Sequence, residues 1–467
     1  MLGSDVANEA HEKLIATVVQ RNGGGSIFPT LRSMCASVSS GKASLSTLVV
    51  PLLPLIPPTL RSVECLSSLH GNIGPDTFAT SLARLCERAP NLESLSIPRQ
   101  VYVLDAPETA RAISAFRQMK QLTLPPITSY QALRVLLAIP TLTELCINHT
   151  YRSGAMNDWG DHSSSVHSPN LQELTLAYPI DTITTILKHL YAPALTTICF
   201  TLLITSHDGA RIDSADQINS PLRALVSHTN STHTLSRVQL RASVEGTSYQ
   251  NIQIPLLPLI QPLLVLREMK FFYLNSGSRV SYVGRDADFA AISEVWTQLE
   301  AFHVDTSAIV PPSLVSSSSS SGTFAQPHLG TSEDGDSSMS SDPPYPTASS
   351  LRSFHKNCPR LRFLSFPFSI TPSRLQEYPV PSGDVSSHPL EELLADISWF
   401  RSRGDDAPSP MTDELAEQWA THLLALFPLL NAGKGSRLAL VGGWKKVCEA
   451  MQWIREGDSG LDRDCEM

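Results

Sequence analysis

A six-position spacing of apolar residues, L-x-x-L-x-L with Leu exchangeable for other apolar residues, recurs along this chain and leaves few folds open. It appears as PTLRSMCA at 29–36, PTLRSVEC at 58–65, PNLESLSI at 90–97 and QMKQLTL ending at Leu124. It returns as PTLTELCI at 140–147, PNLQELTL at 169–176 and PALTTICF at 193–200. Weaker copies carry Leu235, Val238 and Leu240; Leu266, Met269 and Phe271; and Leu299, Phe302 and Val304. PRLRFLSF at 359–366 is a strong copy and PLEELLA at 389–395 a frayed last one. The last two apolar positions of each copy stand two residues apart, the period of a strand with one buried face. A single strand of that kind cannot bury its own apolar face, so neighbouring copies must stack side by side into a parallel sheet.

The segments between copies carry helical patterns. Asp76 is placed to cap a helix with Phe78, Leu82 and Leu85, and Asp181 one with Ile183, Ile186, Leu187 and Leu190. Further helices are expected over 107–118, 128–139, 213–228, 286–298, 347–357 and 413–427. Strand and helix in alternation predict an α/β fold of the leucine-rich-repeat solenoid type. Its curved parallel sheet would form the concave side and its helices the convex side. Copies start roughly 23–40 residues apart, longer and less regular than the usual 20–29. The expected organisation is an N-terminal cap or remnant over 1–27, a repeat array over 28–310 and an insertion over 311–350. C-terminal repeats and closing helices follow over 351–456, then an acidic tail over 457–467. The insertion, rich in Ser, Pro and acidic residues, has almost nothing to bury and is expected to be disordered. It reads either as a phosphorylation segment or as a tolerated surface insertion.

Composition removes several function classes. A formal net charge of -9 with no basic run argues against nucleic acid as a partner. The longest apolar stretches, at 48–60 and 254–266, are Pro-rich and shorter than the roughly 20 residues a membrane span needs. The N-terminus has no signal-peptide pattern, and none of the eight cysteines forms a C-x-x-C pair. A cytoplasmic or nuclear protein with reduced thiols is expected. AGKGS at 432–436 lacks the earlier Gly of a phosphate-binding loop, and no G-x-S-x-G or H-E-x-x-H motif is present. Adjacent pairs such as Asp161–His162 and His207–Asp208 have no third partner in view for a metal. No catalytic residue, cofactor or metal is therefore expected, and the chain is not expected to be an enzyme.

In each strand the residues between the apolar ones should line the open sheet face and meet a partner protein. That count selects Ser94 and Ser96, Gln121 and Thr123, Glu144 and Cys146, Glu173 and Thr175, and Thr197 and Cys199. In the weaker copies it selects Arg237, Gln239, Glu268, Lys270 and His303. A register slip of one residue would exchange exposed for buried positions.

The repeat segments PTLRSM, PNLESLSI, PTLTELCI, PNLQELTL and CPRLRFLSF, then PLEELLADIS at 389–398, give the chain a family likeness. The tail, HLLALFPLL at 422–430 and GWKKVCEAMQWIRE at 443–456, continues it. Together they resemble the leucine-rich-repeat region of fungal F-box-like proteins, of which mushroom-forming basidiomycetes hold large sets. The resemblance implies a substrate-recognition adaptor of a cullin-type ubiquitin ligase, in which an F-box grips the Skp adaptor and the repeats hold the target. No opening motif of the form L-P-x-E-I-L precedes Phe28. Skp is thus an expected partner only if an F-box lies upstream of this chain. The alternative is a scaffold without an F-box that uses the same repeats; an enzyme of unknown type is the distant third.

Overall fold

The computed structural model describes residues 13, 17, 18, 20, 21, 23, 28–36, 56–65, 75–97, 107–127, 129–147, 165–205, 218–245, 252–277, 280–305, 346–366, 387–394, 411–431 and 443–461. They belong to two compact units, Met1–Leu203 with Ser220–Leu235, and Ile204–Asn219 with Ser236–Met467. The first runs β1 (Ser33–Ala36), β2 (Ser62–Cys65), α1 (Pro75–Arg88), β3 (Ser94–Ser96), α2 (Pro107–Ser114), β4 (Gln121–Leu124), α3 (Tyr130–Leu137) and β5 (Glu144–Ile147). It continues with β6 (Val166–His167), β7 (Glu173–Pro179), α4 (Ile180–His189), β8 (Leu190–Tyr191), β9 (Thr197–Thr205) and α5 (Ser220–His228). The second runs β10 (Arg237–Glu245), β11 (Ile252–Pro255), α6 (Leu256–Ile260), β12 (Phe271–Ser276), β13 (Val280–Val283), α7 (Asp286–Val295) and β14 (Ala301–Val304). It ends with α8 (Ala348–Asn357), β15 (Phe363–Ser365), β16 (Glu392–Leu394), α9 (Asp413–Leu426) and α10 (Gly443–Leu461).

In the first unit β1, β2, β3, β4, β5, β7 and β9 pair as parallel neighbours in that order. In the second the order is β10, β12, β14, β15 and β16, again all parallel. Two short parallel pairs, β6 with β8 and β11 with β13, were not anticipated. The molecule is thus α/β, with one strand of parallel sheet for each copy of the apolar spacing.

The apolar positions make the core. Leu92, Leu95 and Ile97, Leu142, Leu145 and Ile147, and Leu195, Ile198 and Phe200 are at most 2% exposed. Each such side chain contributes about 1.5–3 kcal/mol of burial. The structure adds one more buried position, three residues ahead of the copy, held by Ala89, Phe116, Ile139, Ala192, Leu266, Trp296 and Cys358. Helices stack on their successors within each unit: α1 on α2, α2 on α3, α4 on α5, α7 on α8, α9 on α10. In the second unit Phe272, Phe289, Trp296, Phe302, Phe354 and Phe366 form a ring cluster, with Phe289 and Phe366 centroids 4.7 Å apart.

Polar residues of the motif link the copies. In P-T-L and P-N-L the second residue reaches a carbonyl of the preceding copy: Thr59 to Pro29 O (2.7 Å), Thr141 to Met119 O (2.7 Å), Asn170 to Pro140 O (2.8 Å). Thr234 does the same to Leu195 O (2.8 Å). These hydrogen bonds satisfy loop carbonyls where the strand ladder has not yet begun.

Helix starts differ in detail from expectation. Ser129 caps α3 by accepting from Ala132 N, and Thr412 caps α9 by accepting from Leu415 N. Asp181 does not cap α4; the helix opens at Ile180 after Pro179, and Asp181 lies in its first turn, where the helix dipole still favours it. The side chains of Asp76 and Phe78 lie outside the described residues. Of the expected insertion, 311–345 lies outside the described residues, whereas 346–350 is ordered and opens α8. Thr347 donates to Asp286 from N (2.7 Å) and Oγ1 (2.6 Å), Ser350 Oγ donates to the same carboxylate, and both residues are buried. Among the described residues no helix is long and apolar enough to cross a membrane.

Candidate partner-binding face

Strand alternation sets two rows of side chains on the sheet face opposite the buried Leu positions. In the first unit Ser94, Gln121, Glu144, Glu173 and Thr197 stand in register across β3, β4, β5, β7 and β9. Ser96, Thr123, Cys146, Thr175 and Cys199 form the second row in the same register. All ten are partly or fully exposed. Glu64 on β2, which the sequence reading passed over, extends the second row beside Ser96. Gln121 Nε2 donates to Glu144 Oε1 at 2.9 Å. Just ahead of the strands Glu93 accepts from Lys120 (2.8 Å) and from Arg61. Lys120 first, then Arg61, holds the Glu93 carboxyl below the usual carboxylate range. The exposed groups make this a polar, hydrated surface, and ion pairs of this kind add little stability.

The second unit has a different face. Arg237 pairs with Phe271 across β10 and β12, and its guanidinium lies over the ring, 4.4 Å from the centroid. In the next row Gln239 pairs with Tyr273, and Tyr273 with His303 on β14. Ring centroids are 6.2 Å apart from Tyr273 to His303 and again from His303 to Phe363 on β15. Ala301, between Phe271 and Phe363 in register, is only 5% exposed, so the rings form the surface. Burial lowers the pKa of His303 and the Asp305 charge partly offsets this, a balance that favours the neutral imidazole. Asp305 itself accepts from Ser276 N (3.2 Å) and Ser276 Oγ (3.1 Å).

Thirteen of the fifteen sequence-selected residues therefore sit on strands, on one or other of these faces: the ten above with Arg237, Gln239 and His303. Glu268 and Lys270 do not. Glu268 is in the turn before Met269, and Lys270 precedes β12, its backbone N bonded to Ser236 O. The copy in that strand is framed by Met269, Phe272 and Leu274, each at most 1% exposed, in place of Leu266, Met269 and Phe271. LREMKFFYL satisfies the spacing in both frames because two Phe residues are adjacent. The structure chooses the later one, with Leu266 taking the extra buried position that Trp296 and Cys358 take elsewhere. The later frame puts Phe271 and Tyr273 on the open face, while Phe363, in a copy whose expected frame holds, joins them from a strand beyond the residues counted from the sequence. No signal within the segment separates the frames, since the residue three places ahead is Leu in both, Leu263 or Leu266.

Among the described residues no three His, Cys, Asp or Glu side chains gather as a metal site requires. Cys35, Cys86, Cys358 and Cys448 are free thiols. Burial raises Cys358 to about 12 and Cys448 to about 11, which leaves both unreactive as nucleophiles at neutral pH. The segments 161–162, 207–208 and 432–436 lie outside the described residues. No known family matches the chain, and no curated protein does.

Proposed function

We propose that this chain is a protein-interaction module, a leucine-rich-repeat solenoid that holds a partner protein against the concave side of its sheet and performs no catalysis of its own. The observation that supports it is the set of in-register, partly exposed side-chain rows, one position per copy, opposite a core built from the same copies. Such a face offers many small contacts with a few aromatic and Arg anchors, the composition of protein interfaces. The finer reading is a substrate-recognition adaptor of a cullin-type ubiquitin ligase acting in the cytoplasm or nucleus. It rests on the resemblance of the repeat segments to fungal F-box-like proteins. Skp is a partner in that reading if an F-box precedes this chain.

The test is affinity purification of the full chain from its native cell against two sets of variants. One set alters the sheet faces, Glu144→Arg with Glu173→Arg, or Tyr273→Ala with His303→Ala. The control, Glu87→Arg, alters an exposed residue on α1. The expected result is a protein that is lost with a face variant and kept with the control. Retention of every recovered protein by both face variants would overturn the reading. The ligase version further expects Skp and cullin to co-purify with the extended protein.

A further inference from the structure

The second unit's face is not merely a polar surface, and its chemistry selects among partners. Phe271, Tyr273, His303 and Phe363 make an apolar, partly exposed band across β12, β14 and β15. At the β10 margin stand Arg237 and Arg241, both exposed and on the same side of the strand. Among the described residues neither guanidinium meets a carboxylate; that of Arg237 lies over the Phe271 ring, its N–H groups left to other partners. The aromatic residues are large, rigid anchors that lose little freedom when covered. An Arg held on a ring is pre-oriented for a two-pronged hydrogen bond to a carboxylate.

We propose that this face takes a partner protein segment in which an Asp or Glu stands beside a bulky apolar residue, the carboxylate on Arg237, with Arg241 adding positive charge further along the same strand, and the apolar side chain on the Phe271–Tyr273–His303–Phe363 band. The inference rests on the proposed partner-binding reading and narrows it to one patch and one partner chemistry. Aromatic residues with Arg on an open sheet also suit single-stranded nucleic acid, whose bases stack on such rings. The charge balance favours the peptide. A polyanion needs a run of cations to displace its counterions. Here two arginines share a face with Asp305 and Glu392, and burial disfavours a further positive charge on His303. A single carboxylate matches that balance; a phosphate chain does not.

The experiment is selection of linear eight-residue peptides from a randomised display library on the full chain, followed by affinity measurement on synthesised hits. Oligo(dT) and oligo(rU) of fifteen nucleotides serve as competitors. Enrichment of Asp or Glu within three positions of Phe, Leu, Trp or Met is expected. Binding should weaken at least tenfold in Arg237→Gln with Arg241→Gln, and in Tyr273→Ala, while Glu87→Gln on α1 leaves it unchanged. Should an alanine variant unfold, the paired Gln variants on exposed residues still decide the outcome. Enriched peptides without a carboxylate, binding indifferent to the two arginines, or displacement by either oligonucleotide would each overturn the proposal. If peptides fail here while the native partner is lost with Glu144→Arg and Glu173→Arg, the interaction reading stands and this inference falls. If neither face matters, both fall.

Discussion

Phe271 and Phe272 are adjacent, chemically identical and assigned opposite duties, so they offer a sharp test of the register in β12. Phe272 is 0% exposed, with its ring 5.1 Å from Trp296 and 5.6 Å from Phe302, centroid to centroid. Truncating it to Ala removes a fully buried ring and leaves a cavity, about 3–5 kcal/mol for Phe in a core. Phe271 is only partly exposed, and its described contact is the Arg237 guanidinium. Its loss should cost about 1 kcal/mol, the size of a solvent-exposed cation–π pair together with partial burial. Urea unfolding followed by far-UV circular dichroism measures the difference. With a slope of about 2 kcal/mol per molar urea, the midpoint should fall by about 2 M for Phe272→Ala and by about 0.5 M for Phe271→Ala. Equal shifts, or a larger one for Phe271→Ala, would refute the frame Met269, Phe272, Leu274. With it would go the placement of Phe271 and Tyr273 on the open face.

Gly277 has room for no side chain, since a Cβ there would stand 2.7 Å from Ala242 O. Gly277→Ala should cost about 1–3 kcal/mol, read as a lower melting temperature, and an unchanged one would contradict the close approach of the two strands. The threonines linking the copies should each contribute about 1 kcal/mol, so Thr141→Val and Thr234→Val should destabilise by about that much in urea titrations, while Thr185→Val, whose exposed hydroxyl bonds Asp181 O within α4, should matter less. Acid should weaken the C-terminal repeats. Burial first, then the neighbouring His355, lowers His388 to about 4; burial first, then Arg352, lowers His422 to about 4. The unfolded chain takes up these protons near the ordinary histidine value of 6.5, whereas the folded chain resists until about 4. Stability should therefore fall as pH drops through that window. His388 Nδ1 accepts from Leu390 N (3.2 Å), so protonation there also removes a hydrogen bond. Melting temperatures that stay level from about pH 7 to pH 4.5 would refute this, and His422→Leu should flatten the dependence if it holds.

Local pattern was enough to read most of the secondary structure, because its physics is local. The L-x-x-L-x-L spacing marks a strand with one buried face, and the helices between copies begin where capping chemistry permits. Thus Ser129–Leu137, Thr347–Asn357 and Thr412–Leu426 lie where the periodicity puts them. The polar residues Ser94 through Cys199 follow from the same alternation, since in those copies one frame alone fits. Where two frames fit, as at LREMKFFYL, the sequence is silent, and the choice came from packing: Leu266 and Phe272 each fill a buried place that β10 and β14 define from outside the segment. The same holds for the linking threonines, whose partners are carbonyls 22–39 residues away, and for Asp286, which anchors Thr347 across 61 residues. The chain alone thus determined one strand for each copy of the spacing, about where it lies and which side of most of them is buried, but not the short pairs β6 with β8 and β11 with β13. The aromatic face beside Arg237 belongs to the tertiary structure, because lateral register is a property of neighbouring strands and no single strand carries it.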